Sequence, residues 1–324
     1  MNKKAIILVV VVMLVAVVGF MGYRSFFGVQ KVAVDASEQG KKISEFFNPQ
    51  AFITPFQLKE LMDENADVVV IGALNPTKAD SPINGSFTMW RGDYSAAEGV
   101  YSYGGMSNTK EEMEELLSSF GATPKSTIVL YAANSHHDAA RLHWQIKMLG
   151  HEDVRFLDGG LNAWAGAGYP VGEANPTVEK SSYVAPNYST EILADADMVK
   201  MAIENDEWII IDTRSPDEHD GTKTKGGAAG PGNIPGAILI NWTSNSNEDT
   251  TLLTKEELKA IYGDLIEGKN VIVFCQSGVR SAHTLLVLSE VLGAENVYNY
   301  DGSWIEWSYM HYELSEVDVE NGEK

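Results

Sequence analysis

The sequence of 324 residues contains a single cysteine. An intramolecular disulfide framework is therefore excluded, and so is a zinc site built on several thiolates. Basic residues are also scarce: 24 Lys and Arg stand against 45 Asp and Glu, and the formal net charge is −21. This imbalance argues against nucleic acid as a partner, because few cations are present to neutralise phosphates. We interpret the acidity as a solvated, soluble surface.

Hydrophobic residues make up 44% of the sequence, which is enough for buried cores, and the length corresponds to about two domains. A long apolar run lies at the amino terminus, where eighteen uncharged residues, 5–22, follow Lys3 and Lys4. This run is long enough for one membrane-spanning helix. A good Ala-x-Ala cleavage site does not follow, which favours an uncleaved signal anchor over a removed signal peptide.

The short amino terminus predicts that the rest of the protein lies outside the cytoplasm. We expect a membrane-anchored protein that faces the outside or the periplasm, or a secreted protein if the signal is cleaved. The membrane is thus a predicted partner through the N-terminal helix.

The single cysteine, Cys275, lies between two segments with regular patterns. The β-branched run 271–274 predicts a buried strand, and a six-residue loop extends from Cys275 to Arg280. The segment 281–292 predicts a helix that ends at Gly293. Cys275 is therefore expected at the carboxyl end of a strand and at the mouth of a helix, where open α/β sheets bind ligands.

This position favours an ionised thiol. The loop amides and the helix N-terminus offer N–H donors, and Arg280 adds a permanent charge, so the pKa of the Cys275 thiol should be lowered. Gly278 permits a tight turn that brings its N–H inward. The alternative is a free cysteine that packs as a small hydrophobe. The order of strand, cysteine, glycine, arginine and helix favours the reactive interpretation.

This loop resembles the active loop of the rhodanese-type sulfurtransferases, Cys-x-x-Gly-x-Arg/Thr before a helix. Three other stretches are similar to motifs of that family. Residues 211–218 resemble its Asp-x-Arg strand end, and 233–237 resemble its His-Ile-Pro-Gly-Ala turn with Asn233 in place of His. Residues 300–307 resemble its Asp-Gly-x-Trp signature. Four motifs in this order, over about a hundred residues, form a specific signal.

The two halves of the chain also resemble each other. Residues 149–164 align with 292–307, and this alignment places Asp158 opposite Asp301, an offset of 301 − 158 = 143. A duplicated α/β domain explains the match. At the same offset the first copy has Ala132 where the second has its cysteine, so the first copy should be catalytically silent. In tandem rhodaneses the first domain is typically inactive.

The resemblance and the repeat predict two tandem rhodanese-like α/β/α domains with mainly parallel sheets, preceded by one N-terminal transmembrane or signal helix. The expected segments are a signal anchor or signal peptide with its flank (1–35), a polar stalk (36–50), a silent domain (51–172), an extended linker (173–190), a catalytic domain (191–314) and an acidic tail (315–324).

The resemblance implies sulfane sulfur transfer in two steps. The thiolate of Cys275 attacks the outer sulfur of a donor, thiosulfate or 3-mercaptopyruvate, and becomes a persulfide, from which cyanide or a thiol takes the sulfur. No cofactor or metal is needed. In the family, loops close to Cys-Gly-Ser-Gly-Val-Thr favour 3-mercaptopyruvate. The cationic sixth position, Arg280, suits a small dianion and favours thiosulfate.

Roles for individual residues follow from the resemblance. The catalytic pair is the nucleophile Cys275 and the anion-holding, thiolate-stabilising Arg280. The expected substrate-binding residues are the loop residues Gln276, Ser277, Gly278 and Val279, together with Arg214 and, from the silent domain, Arg91. The expected structural residues near the site are Asp212, Ser281 and Asp301, of which Asp301 is expected to be a cap. The alternative for Arg214 is a structural ion pair with Glu218 or Asp217.

Three histidines and a glycine-rich stretch invite other interpretations. His136, His137 and His143 lack a carboxylate or thiol at a familiar metal-binding spacing, so we interpret them as surface or packing residues. The stretch 226–232 does not follow a strand and open a helix in nucleotide-binding order. We interpret it as a mobile loop inserted before the Ile-Pro-Gly turn.

Two other function classes remain open. Cysteine phosphatases use Cys-x5-Arg, whereas the spacing here is Cys-x4-Arg, and a loop of this size suits a sulfur atom better than a phosphate group. A non-enzymatic sulfur carrier or binding module at the membrane would hold a stable persulfide on Cys275 without turnover.

Overall fold

The computed structural model describes residues 36–64, 67–134 and 136–311. Within these residues the chain forms two α/β units, each built on a five-stranded parallel sheet. The first sheet contains β1 (Phe52–Ile53), β2 (Val68–Ala73), β3 (Phe87–Met89), β4 (Thr127–Ala132) and β5 (Val154–Leu157), in the order β1-β5-β4-β2-β3. The second contains β6 (Leu193–Ala194), β7 (Trp208–Asp212), β8 (Ile238–Leu239), β9 (Asn270–Phe274) and β10 (Val297–Tyr300), in the order β6-β10-β9-β7-β8. The matching orders confirm the tandem α/β architecture with parallel sheets.

Helices lie around both sheets. In the first unit they are α1 (Ala36–Ser44), α2 (Pro55–Asp63), α3 (Lys110–Ser119), α4 (His136–Met148) and α5 (Gly160–Gly166). In the second they are α6 (Ala196–Ile203), α7 (Pro216–His219), α8 (Lys255–Ile266), α9 (Val279–Leu286) and a last helix, α10, over 303–311. Short 3₁₀ turns occupy Pro49–Ala51 and Trp242–Asn245, and α9 continues into a π-helical turn, Val287–Leu292.

The central strands β4 and β9 are short runs of apolar residues that are buried almost throughout. Such continuous runs are typical of parallel strands, because helices cover both faces of the sheet. The helices begin where polar side chains satisfy their first N–H groups. Thr109 opens α3 and Thr254 opens α8, each in a capping box with a glutamate three residues later.

Helices α4 and α9 pack against each other and join the two units. The contact is reinforced by two reciprocal hydrogen bonds. The amide of Ser107, in the first unit, donates to Asp301 in the second at 2.8 Å. The amide of Leu252, in the second unit, donates to Asp158 in the first, also at 2.8 Å. The aspartates paired by the sequence repeat thus occupy equivalent positions at the contact between the units.

The prediction that residues 36–50 form a polar stalk needs correction. Ile43 in helix α1 and Phe46 just after the helix are both buried in the hydrophobic core. Lys42 contacts Asp158 at 2.7 Å and also donates to the carbonyl of Leu252 at 2.9 Å. A polar stalk would have no such buried residues, so this segment belongs to the folded body.

Residues 173–190 contain no helix or strand, although Tyr183 is buried and its hydroxyl lies 2.9 Å from Nδ1 of His151. Of the residues that the structure describes, no helix is both long and apolar enough to traverse a bilayer. The predicted span 5–22 and the predicted acidic tail 315–324 lie outside those residues.

Candidate active site

Cys275 follows directly on β9, and α9 begins only four residues later. The turn between them is closed by Gly278, which caps the helix with a φ of 69°. A side chain at this position is disfavoured twice, because φ is left-handed and an added Cβ would lie 2.8 Å from an oxygen of Asp301. The sequence prediction placed Arg280 at the end of the loop. The structure places it in the first turn of α9, because the helix starts at Val279.

Ser303 fixes the shape of the loop. Its hydroxyl oxygen accepts hydrogen bonds from the amides of Cys275, at 3.1 Å, and Gly278, at 2.9 Å, and donates to the carbonyl of Tyr300 at 2.6 Å. Ser303 has a φ of 49°, an unusual value for a residue other than glycine. Sequence analysis did not assign it a role, although it is the variable residue of the Asp-Gly-x-Trp motif.

The thiol of Cys275 is buried, with 1% of the residue exposed. Burial raises its pKa, but the charge of Arg280 and hydrogen bonds from Ser281 and Ser277 outweigh that effect, so the pKa lies below its ordinary value. The direction agrees with the sequence prediction. The burial does not fit the partly exposed position expected of a reactive cysteine, and it means that a donor must enter the protein to reach the sulfur.

Arg280 forms a two-pronged ion pair with Glu218, which lies on the short helix α7. The two guanidinium nitrogens lie 2.7 and 2.8 Å from the two carboxylate oxygens, and both side chains are largely buried. This pairing orients the guanidinium toward the thiol, with which it also shares a hydrogen bond. Glu218 was considered in the sequence only as a partner of Arg214.

Arg214 pairs instead with Asp212, at the end of β7. Its Nη2 lies 2.7 Å from the Asp212 carboxylate and donates to the carbonyl of Gly232 at 3.0 Å, and the residue is only 1% exposed. The alternative ion pair with Glu218 or Asp217 is therefore wrong in its partner. The bond to Gly232 ties the strand end to the last residue of the glycine-rich stretch, and these contacts leave Arg214 little freedom to meet a donor.

Asp301 forms a link between the units. One carboxylate oxygen forms an ion pair with Arg141 of α4, and both side chains are almost fully buried. The other oxygen accepts from the amide and the hydroxyl of Ser107, each at 2.8 Å. Asp301 was predicted to be a structural cap in its own domain. It is structural, but its partners come from the other unit, which sequence spacing does not reveal.

Arg91 contacts residues of its own unit close to the second unit, and its role in substrate binding stays a prediction. It pairs with Asp138 at 2.8 Å, and Nη2 lies 3.2 Å from His137. His137 in turn packs against Trp242 of the second unit, with 4.4 Å between ring centroids. The charges of Arg91 and Arg280 both act on His137 and, with burial as the largest cause, hold its pKa well below the usual value. The Arg91 side chain is 48% exposed.

The predicted surface or packing histidines all belong to the interior. His136, His137 and His143 are buried, and burial lowers the pKa of His136 and of His143 to about 4. No group of three potential ligand residues in the described ranges is placed to hold a metal ion.

The remaining loop residues point in different directions. The Gln276 side chain donates to the carbonyls of Lys225 and Gly226, at 3.3 and 3.2 Å. The Ser281 hydroxyl donates to Asn299 at 2.6 Å, on the inner side of α9. Ser277 lies against Gly105 of the first unit, where an added Cβ would be 3.1 Å from the serine Cβ.

The glycine-rich stretch lies on the site rather than free of it. Besides the two bonds from Gln276, the indole of Trp304 donates to the carbonyl of Gly230 at 3.0 Å, and the amide of Ala229 donates to Ser308 at 2.9 Å. The sequence prediction of a mobile loop therefore needs correction, since this segment is held at several points beside the cysteine.

The first unit has a different surface at the equivalent place. Ala132 ends β4 there, and a cavity of about 240 Å³ opens beside Ala133 and Asn134. Trp90 and Lys78 also line it. The two units thus have the same sheet order, but the first has no cysteine at the equivalent strand end.

The duplicated parallel sheets and the cysteine loop between β9 and α9 define a tandem sulfurtransferase of the rhodanese type. The sequence profile of the Rhodanese-like domain matches residues 54–167 and 195–309, and the chain belongs to this family. It is therefore a sulfurtransferase enzyme with two rhodanese-like domains, and both the resemblance and the repeat inferred from the sequence are confirmed.

Named relatives agree with this assignment. A protein of Haloferax volcanii named "Putative thiosulfate sulfurtransferase" is 39% identical over 214 residues, which cover 62% of this chain and 73% of the relative. A protein of the same name from Saccharopolyspora erythraea is 39% identical over 220 residues, covering 65% and 76%. The "Sulfur carrier protein TtuD" of Thermus thermophilus is 34% identical over 213 residues, covering 62% and 75%.

Solved structures show the same fold. The wild-type structure of EanB matches with a TM-score of 0.70 at 23% identity, covering 81% of this chain and 68% of that one. The anaerobic ergothioneine biosynthesis enzyme from Chlorobium limicola, bound to trimethyl histidine, matches with a TM-score of 0.69 at 23% identity, covering 82% and 69%. At this identity the likeness concerns the fold alone.

Proposed function

We propose that this protein transfers sulfane sulfur from thiosulfate to a thiophilic acceptor through a persulfide on Cys275. The observation that carries the proposal is the place of the thiol: Cys275 lies between β9 and α9, and although burial raises the pKa of the thiol, the charge of Arg280, held by Glu218, lowers it. A thiol stabilised as an anion at a strand end is suited to nucleophilic attack on a donor that enters the protein.

In the first step the Cys275 thiolate attacks the outer sulfur of thiosulfate. A bond forms between Sγ and that sulfur, the S–S bond of the donor breaks, and its electron pair leaves with sulfite. The product is a persulfide anion, so the charge near Arg280 is unchanged. The same amides and guanidinium that stabilise the thiolate therefore stabilise the persulfide.

In the second step an acceptor such as cyanide or a thiolate attacks the outer sulfur of the persulfide. The new bond forms on the acceptor, and the electron pair of the cleaved S–S bond returns to Sγ as thiolate. Gln276, Ser277, Gly278 and Val279 supply the loop around the sulfur, and Arg91 is a further candidate for guiding the anion from the first unit. Donor and acceptor are proposed to react in turn at one site, which predicts ping-pong kinetics.

Thiosulfate is the preferred donor for two reasons. Several relatives carry thiosulfate in their names, and the sixth loop position is the cation Arg280. The alternative donor, 3-mercaptopyruvate, would release pyruvate after breaking a C–S bond. Within this proposal the first unit is catalytically silent, because Ala132 stands where the second has its thiol.

A sulfur-carrier function is the second candidate. The relative from Thermus thermophilus is named a sulfur carrier protein, and a persulfide on a residue that is 1% exposed would be shielded from casual acceptors. A carrier would form a stable persulfide but turn over slowly with any small acceptor. A phosphatase is less well supported, because Cys-x4-Arg leaves a shorter loop than phosphate requires.

Steady-state assays with thiosulfate and with 3-mercaptopyruvate, each with cyanide, test the proposal, and Cys275→Ser is the matched control. We expect thiosulfate-dependent thiocyanate production and a gain of one sulfur atom in the intact mass, both lost in Cys275→Ser. Arg280→Met should raise the midpoint pH for alkylation of the thiol and reduce turnover on the order of 100-fold. Activity that survives Cys275→Ser would overturn the mechanism.

We also propose that residues 5–22 anchor the enzyme in the membrane, with the catalytic domain outside the cytoplasm. This proposal rests on the apolar length of the segment and the two preceding lysines. The mass of the native amino terminus, together with membrane fractionation, tests it. Cleavage before residue 36 with release of the protein would support secretion instead.

A further inference from the structure

We propose that Lys225 is the cation that recognises the anionic group of the sulfur donor. Lys225 lies in the segment 220–232 between α7 and β8, called the insertion below, which ends with the glycine-rich stretch. This inference rests on the proposed thiosulfate chemistry and assigns a substrate-binding role that the family motifs do not contain. The insertion sets the position of Lys225, and the charged groups that act on it are Glu218, Arg280 and Cys275.

Lys225 shares a carboxylate with the catalytic arginine. Its ammonium lies 3.6 Å from the oxygen of Glu218 that also accepts from Arg280 at 2.7 Å. A separation of 3.6 Å is longer than a normal hydrogen bond, and 45% of the Lys225 side chain is exposed. The charge of Cys275 also acts on this ammonium, which places it in the field of the reacting sulfur.

Arg280 is less free to bind a donor than its sequence position suggests. Both of its terminal nitrogens are engaged by Glu218, and the residue is 9% exposed. Removing it from this pair would leave the Glu218 carboxylate buried without its partner, which is strongly unfavourable. Arg280 is thus suited to hold the thiolate, while Lys225 remains able to move toward an incoming anion.

The charges around Lys225 favour an added anion. Burial and, next in size, repulsion by Arg280 lower the pKa of Lys225, and Glu218 and Cys275 offset only part of this. A cation in such surroundings is stabilised when a second negative group arrives beside it. The dianion thiosulfate carries its charge mainly on the sulfonate end, away from the sulfur that Cys275 attacks, so a cation at the mouth of the site matches it.

The backbone of the insertion is fixed where Lys225 needs it. Gln276, the residue after the nucleophile, donates to the carbonyls of Lys225 and Gly226. The catalytic loop therefore holds the backbone of Lys225 directly, while the end of the side chain stays exposed. This geometry couples recognition of the donor to the position of the nucleophile.

The test compares Lys225→Met with Lys223→Met, since both remove one positive charge from the same insertion. Lys223 is exposed, and its backbone amide donates a hydrogen bond to the carbonyl of Asp217. Single-turnover persulfide formation on the full chain is followed by intact mass across a range of thiosulfate concentrations. We expect Lys225→Met to raise the half-saturating concentration roughly tenfold with little change in the maximal rate. Lys223→Met should resemble the wild type.

Two further measurements complete the test. In Lys225→Arg the half-saturating thiosulfate concentration should lie within about threefold of the wild-type value. Added salt should reduce the difference in half-saturating concentration between Lys225→Met and the wild type. Equal half-saturating concentrations for the Lys225→Met and Lys223→Met variants would overturn the inference while leaving the persulfide mechanism intact. A fall in maximal rate alone would also overturn it. Absence of any persulfide in the wild type would instead refute the proposed function.

Discussion

Arg280 and Glu218 form a bidentate ion pair in which two nitrogens meet two oxygens at 2.7 and 2.8 Å. The pair joins the first turn of α9 to the short helix α7. Because Arg280 also lies beside the thiol, the position of its charge depends on a carboxylate 62 residues earlier in the chain.

Glu218→Gln should destabilise the protein by about 3–5 kcal/mol at neutral pH, because Arg280 would be left buried without a counter-charge. Burial raises the pKa of Glu218, but its hydrogen bonds with Arg280 and the charge of that residue lower it to about 2. The folded pKa is thus below the unfolded value of 4.5, and the stabilisation is lost as the pH falls from about 4.5 toward 2.

Denaturant unfolding across this pH range should therefore show a difference in unfolding free energy between the wild type and Glu218→Gln that shrinks as the pH falls. Asp217→Asn is the matched control, since Asp217 is the exposed neighbouring carboxylate. A pH-independent gap would contradict an ionic origin of the stabilisation.

Ser303→Gly should cost about 1–3 kcal/mol, because the buried amides of Cys275 and Gly278 would lose their acceptor. Ser303→Ala should cost about 1 kcal/mol more, since alanine at a φ of 49° bears strain that glycine avoids. Unfolding free energies of the two variants separate these contributions. Equal stability of both variants and the wild type would show that the hydroxyl does not hold the loop.

Asp301→Asn should destabilise the protein by about 3–5 kcal/mol, because it leaves the guanidinium of Arg141, which is 0% exposed, without its counter-ion. Asp158→Asn is the matched comparison at the equivalent position. It should cost less, because its partner Lys42 is 14% exposed and reaches water more easily. Urea unfolding measures both, and a larger loss from Asp158→Asn would argue against the burial of Arg141 as the cause.

His136 should make the protein sensitive to mild acid. Burial lowers its pKa from 6.5 to about 4, so the folded protein favours the neutral ring. Its contribution is full above pH 6.5 and is lost as the pH falls through about 4, by about 3 kcal/mol in total. Unfolding free energies of His136→Gln should fall less steeply than those of the wild type between pH 6.5 and 4. Parallel curves would refute this assignment.

The sequence predicted the strand, the cysteine and the following helix, because hydrophobic pattern and glycine position are local signals. It also predicted the direction of the pKa shift of Cys275, since the charge of Arg280 is close in sequence. It did not predict that Arg280 pairs with Glu218, or that Asp301 pairs with Arg141 of the other unit. Those pairs join residues 62 and 160 positions apart, and sequence spacing does not specify such contacts.

Two features of the structure were not predicted from the sequence for the same reason. The segment 36–50 was interpreted as a stalk because its apolar residues are few, yet Ile43 and Phe46 are buried against the folded units. The burial of Cys275 was not predicted, because the local motif of a reactive loop carries no information about it. Its burial comes from distant segments packed around it, so it depends on tertiary structure rather than on the motif.

The reciprocal bonds of Ser107 and Leu252 have a consequence for the history of the duplicated chain. Each copy holds an aspartate that accepts a backbone hydrogen bond from the other copy, and α4 of the first unit packs against α9, the helix that follows the Cys275 loop. The half without a cysteine therefore has to keep the shape of this contact. If the two units were separated, the unit with Cys275 would expose the face of α9 that packs on α4. Its Asp301 would also lose Arg141 as counter-ion, so we expect the two units to fold as one body.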